Sequence, residues 1–220
     1  MYSVKEMFLT LQGEGGQAGL PAIFVRFAGC NLWSGLERDR AAAVCKFCDT
    51  DFIGTNGDGG GKFKTAQDLA KEIKTYWPQS QNEDIWAVMT GGEPLLQLDA
   101  ALIEACHDEG IKVAVETNGT IMAPEGIDWL CVSPKAGAKI IQTSGDELKL
   151  VFPQVENKPE DFEHMDFGIF SLQPRDDRFL YGQSEDNFDG SPHRTETINY
   201  CLSHPKWRLS LQTHKWMNIP

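Results

Sequence analysis

The sequence lacks the features that would place the chain in a membrane or on nucleic acid. No apolar run approaches the roughly eighteen residues that a membrane-spanning helix needs. The first residues, MYSVKEMFLTLQGEGG, have neither the charged start nor the long apolar stretch of a secretory signal. Positive charge is scarce, because 20 lysines and arginines stand against 32 acidic residues, for a net charge of −12. Without a basic stripe to neutralise phosphates, tRNA or another nucleic acid is not expected as a partner, and a small substrate is favoured.

Six cysteines without a secretory signal favour a reducing cytoplasm, where thiols bind metals more often than they form disulfides. Cys30 and Cys45 are separated by fourteen residues, and Cys45 and Cys48 by two. The next possible ligands along the chain are Cys106 and His107, far from this group. Structural zinc usually takes four protein ligands, so three soft thiolates indicate a different group. A 4Fe–4S cluster held by three cysteines would leave one iron free to bind a small molecule.

Length and composition predict a single α/β domain spanning residues 1–220. An apolar content of 41% is enough to bury one sizeable core, in which Cys106, Cys131 and Cys201 are expected to lie as inert thiols. Strands are predicted at Ala22–Ala28, Ile85–Thr90, Lys112–Glu116, Trp129–Ser133, Glu147–Phe152, Gly168–Leu172 and Arg208–Gln212. Helices are predicted at Thr65–Trp77, at Leu98–Glu109, and from Ser191-Pro192 towards Ser203. Strands that alternate with helices indicate a mainly parallel sheet.

Two segments interrupt this alternation. Asn31–Val44, which lies between the first two cysteines of the group, is an insertion of mixed charge that is expected to form a helical turn or a mobile loop. Gly54–Gly61 is rich in glycine but lacks the Lys-Ser/Thr pair of a P-loop, so a flexible surface loop is favoured over a phosphate site.

Thr90-Gly91-Gly92-Glu93-Pro94 follows a predicted strand and precedes a helical stretch. Adjacent glycines allow the backbone to approach a ligand closely, and a carboxylate suits an ammonium group. An ordinary strand-to-helix turn is the alternative interpretation.

Polar residues also follow three later strands: Glu116-Thr117-Asn118-Gly119, Ser133-Pro134-Lys135 and Gln173-Pro174-Arg175-Asp176. The carboxyl ends of parallel strands build the ligand site in α/β folds, so these groups are expected to meet there. For Glu116, a turn-capping role is as compatible with its position as contact with a ligand.

The N-terminal segment Phe8–Gly15 contains the sequence LQGEG, in which Leu9 and Leu11 could alternatively form one face of a strand. Arg26 lies within an apolar strand, where a charge is costly unless it is paired. Arg26 is therefore expected to face a ligand or a buried acidic partner. The C-terminal segment KWMNIP is too apolar for a frayed tail and is expected to fold back onto the body.

These motifs together resemble those of the radical S-adenosylmethionine (SAM) enzymes. The long gap before the final CxxC, with Phe47 inside it, together with LQGEG, ETNG, SPK and LQP, resembles the 7-carboxy-7-deazaguanine synthases over nearly the whole chain. The resemblance implies a modified, incomplete (β/α) barrel and a 4Fe–4S cluster on Cys30, Cys45 and Cys48. It also implies Mg²⁺ on Thr50, which follows the last cysteine and Asp49.

The resemblance further implies two sets of binding residues. SAM is expected at Phe47, Cys48, Asp49, Gly91, Gly92, Glu93, Glu116, Ser133, Pro134, Lys135, Gln173, Pro174, Arg175 and Asp176. A pterin substrate is expected at Leu11, Gln12, Gly13, Glu14, Arg26, Thr90 and Pro220. Arg26 would face the substrate carboxylate, and the main-chain carboxylate of Pro220 would accept two adjacent pterin donors.

The implied reaction converts 6-carboxy-5,6,7,8-tetrahydropterin into 7-carboxy-7-deazaguanine with loss of ammonia, in queuosine precursor synthesis. A radical derived from SAM would remove hydrogen from the pterin C6, and SAM would be regenerated. The implied partners are a flavodoxin as electron donor and a second copy of the chain in a homodimer. Two alternatives stay open from the residues: another radical SAM enzyme, such as an activase acting on a protein, and a metal-binding module without catalysis.

Overall fold

The computed structural model describes residues 1–78, 84–176 and 192–220. Within these residues nine strands form one sheet, in the order β3-β1-β2-β4-β5-β6-β7-β8-β9. The strands are β1 (Tyr2–Leu11), β2 (Pro21–Phe27), β3 (Gly61–Phe63), β4 (Ile85–Gly91), β5 (Ile111–Thr117), β6 (Trp129–Val132), β7 (Ser144–Phe152), β8 (Asp166–Pro174) and β9 (Trp207–Leu209). The helices are α1 (Ala66–Thr75), α2 (Ala100–Asp108), α3 (Pro192–Ser203) and α4 (Thr213–Met217).

The sheet is parallel from β2 to β9, and only β1 runs against its two neighbours, β2 and β3. The carboxyl ends of seven parallel strands therefore lie at one edge, where connecting loops can build a site. This mainly parallel sheet of nine strands agrees with the predicted incomplete barrel.

Strand residues alternate between two faces, and this alternation separates the core from the site. On the outer face, apolar side chains such as Val25, Val115, Leu148 and Leu150 join the main core, against which α1 and α2 lie. On the inner face, a small apolar group centred on Val88 is followed by polar side chains towards the carboxyl ends. The outer face thus stabilises the sheet, while the inner face is available for binding.

The predicted helices are present, each slightly shorter than its sequence pattern. Thr65 caps α1, because its Oγ1 accepts a hydrogen bond from the Asp68 amide at 3.1 Å. Asp99 caps α2 in the same way, and Gly110 follows the end of α2 with a φ of +76°, a conformation that glycine adopts without strain. Of the predicted third helix, Ser191 lies outside the described residues. None of the helices in the described ranges is long and apolar enough to cross a membrane.

The strand prediction was wrong at the two ends of the chain. Tyr2–Leu11 is a full strand, so the alternative interpretation of Leu9 and Leu11 as strand residues is confirmed. The predicted strand at Arg208–Gln212 is instead the shorter β9, which ends at Leu209. Ser210 follows the strand, and its hydroxyl accepts a hydrogen bond from the Gly15 amide at 2.8 Å and donates to the side-chain oxygen of Gln173 at 3.2 Å.

The two interrupting segments are both held by the body of the protein. The insertion Asn31–Val44 contains a 3₁₀ helix at Glu37–Ala42, which confirms the helical-turn alternative. In Gly54–Gly61, the Gly57 amide donates to the Lys5 carbonyl at 2.9 Å, and the Asp58 carbonyl accepts from the Met7 amide at 2.8 Å. This glycine-rich segment therefore lies against β1 as an ordered part of the structure.

Candidate active site

Two adjoining cavities lie at the carboxyl ends of the strands. The cluster-side cavity, of about 210 Å³, lies beside the CxxC loop (residues 45–48), and the β1-side cavity, of about 350 Å³, lies beside β1 and α4. The residues that line both cavities are Glu14, Asp49, Thr50, Thr90, Glu116 and Gln212. The two spaces therefore share a wall and can hold two ligands next to each other.

Most of the predicted binding residues line one or both of these cavities, and their contacts with ligands stay predictions. Those of the predicted SAM set that line the cluster-side cavity are Phe47, Cys48, Asp49, Gly91, Gly92, Glu116, Ser133, Lys135, Gln173, Pro174, Arg175 and Asp176. All members of the predicted substrate set line the β1-side cavity: Leu11, Gln12, Gly13, Glu14, Arg26, Thr90 and Pro220. Three predicted residues, Cys30, Glu93 and Pro134, lie outside both linings.

Glu93 is fully buried behind the cavity wall. Its carboxylate accepts hydrogen bonds from the amides of Leu95 and Asn118 and from the hydroxyl of Thr117, at 2.8 to 3.0 Å. Burial raises its pKa, and these hydrogen bonds oppose the rise. In this structure Glu93 fastens the loop after β4 to the end of β5, and its contact with SAM stays a prediction.

The Gly91-Gly92 pair brings the loop after β4 against the loop after β2. A Cβ on Gly92 would lie 2.1 Å from the Gly29 carbonyl oxygen and 2.8 Å from the Cβ of Cys30. The Glu93 amide also donates to the Gly29 carbonyl at 2.9 Å. Glycine is therefore required at position 92 for the backbone that carries Cys30 to approach this closely.

The three cysteines of the predicted cluster are free thiols near the cluster-side cavity. The interaction between the Cys45 and Cys48 side chains lowers the pKa of Cys48 and raises that of Cys45. Burial raises the pKa of Cys30, and the charge of Cys48 adds to the rise. Because thiolates are the metal-binding form, the low pKa of Cys48 suits a ligand.

Among the described residues, no three histidine, cysteine or carboxylate side chains are grouped closely enough to hold a single metal ion. In a 4Fe–4S cluster each cysteine binds a different iron, so its ligand sulfurs need not surround one point. Cys45 and Cys48 line the cluster-side cavity and Cys30 lies next to the cavity-lining Gly92, and three free thiols fit such a cluster by their chemistry. Thr50 lines both cavities and offers a hydroxyl, but Mg²⁺ would need further oxygen ligands from water or substrate.

The insertion between Cys30 and Cys45 is attached to the CxxC loop by Arg40. Its guanidinium lies 4.2 Å from the ring centre of Trp33 and donates to the carbonyls of Lys46 and Cys48, both at 3.0 Å. Trp33 is buried and contacts the ring of Phe52 edge-on. The insertion between Cys30 and Cys45 therefore packs against the CxxC loop and supports the backbone that carries Cys45 and Cys48.

On the opposite side of the site, Glu6, Arg26 and Thr90 form a row across β1, β2 and β4. Glu6 pairs in register with Arg26, and Arg26 pairs with Thr90. The Nε of Arg26 donates to the Glu6 carboxylate at 2.7 Å, and the Arg26 side chain is 19% exposed. The expected acidic partner is thus present, and Arg26 also lines the cavity where a ligand carboxylate is predicted.

The C-terminal segment folds back across the β1-side cavity, as expected. Thr213 donates its amide and hydroxyl to the Gly13 carbonyl, at 2.9 and 3.0 Å, and the Thr10 hydroxyl donates to a main-chain carboxylate oxygen of Pro220 at 2.9 Å. The apolar side chains do not drive this contact, since Trp216 and Met217 are 72% and 46% exposed. Lys215 contributes instead, through ion pairs of 2.7 Å to Asp49 and 2.9 Å to Asp176.

A buried ion cluster forms the wall between the two cavities. Lys149, which is only 3% exposed, lies 2.8 Å from Glu14 and 2.8 Å from Glu116. Glu14 also accepts hydrogen bonds from the amides of Gln173 and Gln212, at 3.1 and 2.9 Å. Burial opposes ionisation of Glu14, but Lys149 and Gln212 outweigh it and lower its pKa to about 2. Glu116 lines both cavities and has Lys149 as its ionic partner, and its contact with a ligand stays a prediction.

Sequence reasoning missed Lys149, Gln212, His214 and Lys215, all of which line these cavities. For Lys149 a signal was available, because it lies between Leu148 and Leu150 in a predicted strand and a charge there needs a partner. The other three follow β9 in a segment without a clear pattern, and their positions depend on tertiary contacts with β1 and the CxxC loop.

Comparison with known proteins identifies relatives along the entire chain. Residues 40–149 match the model of the radical SAM superfamily. The 7-carboxy-7-deazaguanine synthase of Caulobacter vibrioides is 58% identical over 219 residues, covering 100% of this chain and 99% of the relative. The synthase of Bordetella pertussis is 57% identical with the same coverage, and that of Bacteroides thetaiotaomicron is 38% identical, again over 100% and 99% of the two chains.

A solved structure supports the fold independently. The crystal structure of QueE from Escherichia coli matches with a TM-score of 0.65 at 23% identity, covering 96% of this chain and 93% of that one. At this identity the likeness supports the architecture alone. The high identity of the synthases over the full chain favours them over a protein-directed activase or a metal-binding module. The chain therefore belongs to the 7-carboxy-7-deazaguanine synthases, a family of radical SAM enzymes.

Proposed function

We propose that the protein converts 6-carboxy-5,6,7,8-tetrahydropterin into 7-carboxy-7-deazaguanine, with release of ammonia, on the route to queuosine. The observation that carries this proposal is the pair of adjoining cavities with a common wall. The cluster-side cavity meets the cysteine loop, and the β1-side cavity meets Arg26 and the LQGEG segment. A reaction between SAM and a second small molecule needs such neighbouring sites.

Membership of the radical SAM superfamily implies a 4Fe–4S cluster and SAM as cofactors. Cys30, Cys45 and Cys48 would hold the cluster, and the loops that follow β4, β6 and β8 would hold SAM. When bound, these cofactors supply the radical chemistry that starts by removing hydrogen from the substrate. The protein contributes binding, orientation and exclusion of water.

On the SAM side, polar groups at the strand ends provide the contacts. Lys135 Nζ is held by the carbonyl and hydroxyl of Ser133, at 2.8 and 2.6 Å, which fixes an ammonium group on the cavity wall. Such a group can pair with the carboxylate of SAM. Arg175 and Asp176 line the same cavity from the end of β8, where donors and acceptors for the rest of SAM are available.

On the pterin side, Arg26 provides a guanidinium fork for the substrate carboxylate, while Glu6 holds its Nε and fixes the plane. Gln12 and Glu14 follow β1 and offer amide and carboxylate groups to the ring donors. Thr50 lies between the two sides, where its hydroxyl can bind Mg²⁺ together with the substrate carboxylate and water.

Three further features of the proposal rest on family resemblance alone. They are a flavodoxin as electron donor, a homodimer as the assembled form and the return of hydrogen that regenerates SAM. Flavodoxins are acidic and this chain has a net charge of −12, so the two proteins would repel each other on average. Binding of a flavodoxin therefore requires a local basic patch on the surface of this chain.

Turnover under anaerobic conditions tests the proposed function. The reconstituted enzyme is incubated with 6-carboxy-5,6,7,8-tetrahydropterin, SAM, Mg²⁺ and a reductant, and products are identified by liquid chromatography and mass spectrometry. We expect equal amounts of 7-carboxy-7-deazaguanine and ammonia, and none from the Cys45→Ala variant. Cleavage of SAM without any deazaguanine would indicate a radical SAM enzyme with a different substrate.

A further inference from the structure

The buried ion cluster connects the two halves of the proposed active site. Glu14, in the segment after β1, and Glu116, near the end of β5, each line both the cluster-side and the β1-side cavity. Both carboxylates meet at one ammonium group, Lys149 Nζ, at 2.8 Å each. Lys149 projects from the middle of β7, and its neighbours Leu148 and Leu150 are buried in the core on the opposite face. Its backbone is therefore rigidly held.

We propose that Lys149 is a positioning residue that fixes the Glu14 and Glu116 carboxylates on the wall between the two cavities. A single ammonium group thereby orients carboxylates that serve both the SAM site and the pterin site. This inference rests on the proposed function and deepens it. Lys149 would act through the two carboxylates, each of which is oriented by the same ammonium group.

The charges around Lys149 explain why a cation is needed at this position. Facing it are Glu14, Glu116 and Glu147, the Cys131 thiol on β6, and His214 on α4. Burial raises the pKa of Cys131 far above its usual value, and burial lowers that of His214, so both are neutral near pH 7. Three carboxylates then surround one ammonium group. The Glu147 carboxylate is satisfied separately, because it accepts from the Ser171 hydroxyl and, at 2.9 Å, from the Gly16 amide.

Removal of Lys149 should leave Glu14 and Glu116 close together without a counter-charge. Two buried carboxylates that share a site cannot both stay ionised, so the pair would take up a proton. Burial and the charge of Glu14 already raise the pKa of Glu116, and Lys149 is the group that opposes them. The protonated pair would lose acceptor capacity on both sides of the wall, and this loss would deepen as the pH falls.

The test compares Lys149→Met with wild type and with Lys71→Met, which removes an exposed lysine on α1. Binding of SAM and of 6-carboxypterin, the aromatic analogue of the substrate, is measured on the reconstituted enzyme between pH 5.5 and 9. For Lys149→Met we expect the pH below which the affinity falls to rise by at least about one unit for both ligands. At pH 6 this shift is equivalent to an affinity about tenfold lower than that of wild type. Both affinities should recover towards pH 9, and Lys71→Met should match wild type.

A second variant keeps the test decisive if Lys149→Met does not fold. Glu14→Gln retains Lys149 and removes the like charge next to Glu116. The pH below which the affinity for SAM falls should therefore be lower in this variant than in wild type. Three results would overturn the inference. The pH dependence of binding could be the same as in wild type in either folded variant, or the affinity of Lys149→Met could fall equally at all pH values. The third is a Lys149→Met variant in which the affinity changes for one ligand only. Wild-type enzyme that binds neither ligand would overturn the proposed function, and this inference with it.

Discussion

Arg26 illustrates at the scale of one residue how a buried charge can serve both the fold and the site. The Nε of Arg26 donates a hydrogen bond to the Glu6 carboxylate, while the Arg26 side chain also lines the β1-side cavity. Lysine cannot reproduce the planar fork, so Arg26→Lys should raise the KM for the pterin about tenfold, the equivalent of one charge-assisted hydrogen bond. Steady-state kinetics at saturating SAM measure this change, with the exposed Arg38→Lys as control.

The same variant should leave the affinity for SAM as it is in wild type, because Arg26 does not line the cluster-side cavity. A Kd for SAM that rises while the pterin KM stays constant would mean that Arg26 has been assigned to the wrong ligand.

Thr50 supports a second prediction at this scale, because its hydroxyl is placed where both cavities meet. If this hydroxyl binds Mg²⁺, Thr50→Ala should weaken the dependence of the rate on added Mg²⁺, whereas Thr50→Ser, which keeps the oxygen, should preserve it. The measurement is the initial rate during a Mg²⁺ titration. An identical titration curve for wild type and Thr50→Ala would remove Thr50 from the metal site.

At the scale of elements, the contact between the loops after β2 and β4 is the tightest point of the site. A methyl group on Gly92 would meet the Gly29 carbonyl oxygen at 2.1 Å, and backbone atoms there cannot yield easily. Gly92→Ala should therefore displace the backbone next to Cys30 and reduce the iron and sulfide content of purified enzyme. Gly61→Ala, whose nearest neighbour would be at 3.7 Å, is the matched control. Full iron content in Gly92→Ala would show that this contact does not position Cys30.

Elements with strong local signals were predictable from the sequence. The parallel strands β4 to β8 are apolar runs, and Thr65 and Gly110 lie at the ends of α1 and α2, where capping residues are typical. The three-residue β3 was not predictable, because it forms by pairing with β1. The ligand loops were recognised by motif, whereas Lys149 and Lys215 depend on partners distant in sequence.

At the scale of the whole molecule, the fold brings segments that are distant in sequence to one edge of the sheet. The outer face is filled by the core, so the polar inner face can be devoted to ligands. Cys106 is buried in the core, whereas Cys131 is buried on the inner face beside Lys149, and neither of them lines either cavity. Cys201 on α3 is only partly buried and lies outside both cavities.

The positions of the six cysteines predict which of them bind the cluster. Replacement of Cys30, Cys45 or Cys48 by Ala should abolish the brown colour of the anaerobically purified protein, while Cys106→Ala, Cys131→Ala and Cys201→Ala should retain it. Iron and sulfide analysis with absorption spectra measures the difference. A Cys45→Ala protein with a full 4Fe–4S complement would contradict the assignment.

The central claim is that SAM and the pterin occupy adjoining cavities on either side of a wall formed by Thr50, Thr90 and Glu116. An anaerobic crystal structure of the reconstituted enzyme with SAM and 6-carboxypterin tests it most directly. The account predicts SAM next to the CxxC loop and Lys135, and the pterin carboxylate at Arg26, with the two ligands in contact near Thr50. A pterin bound away from Arg26, or two ligands separated by protein, would contradict it.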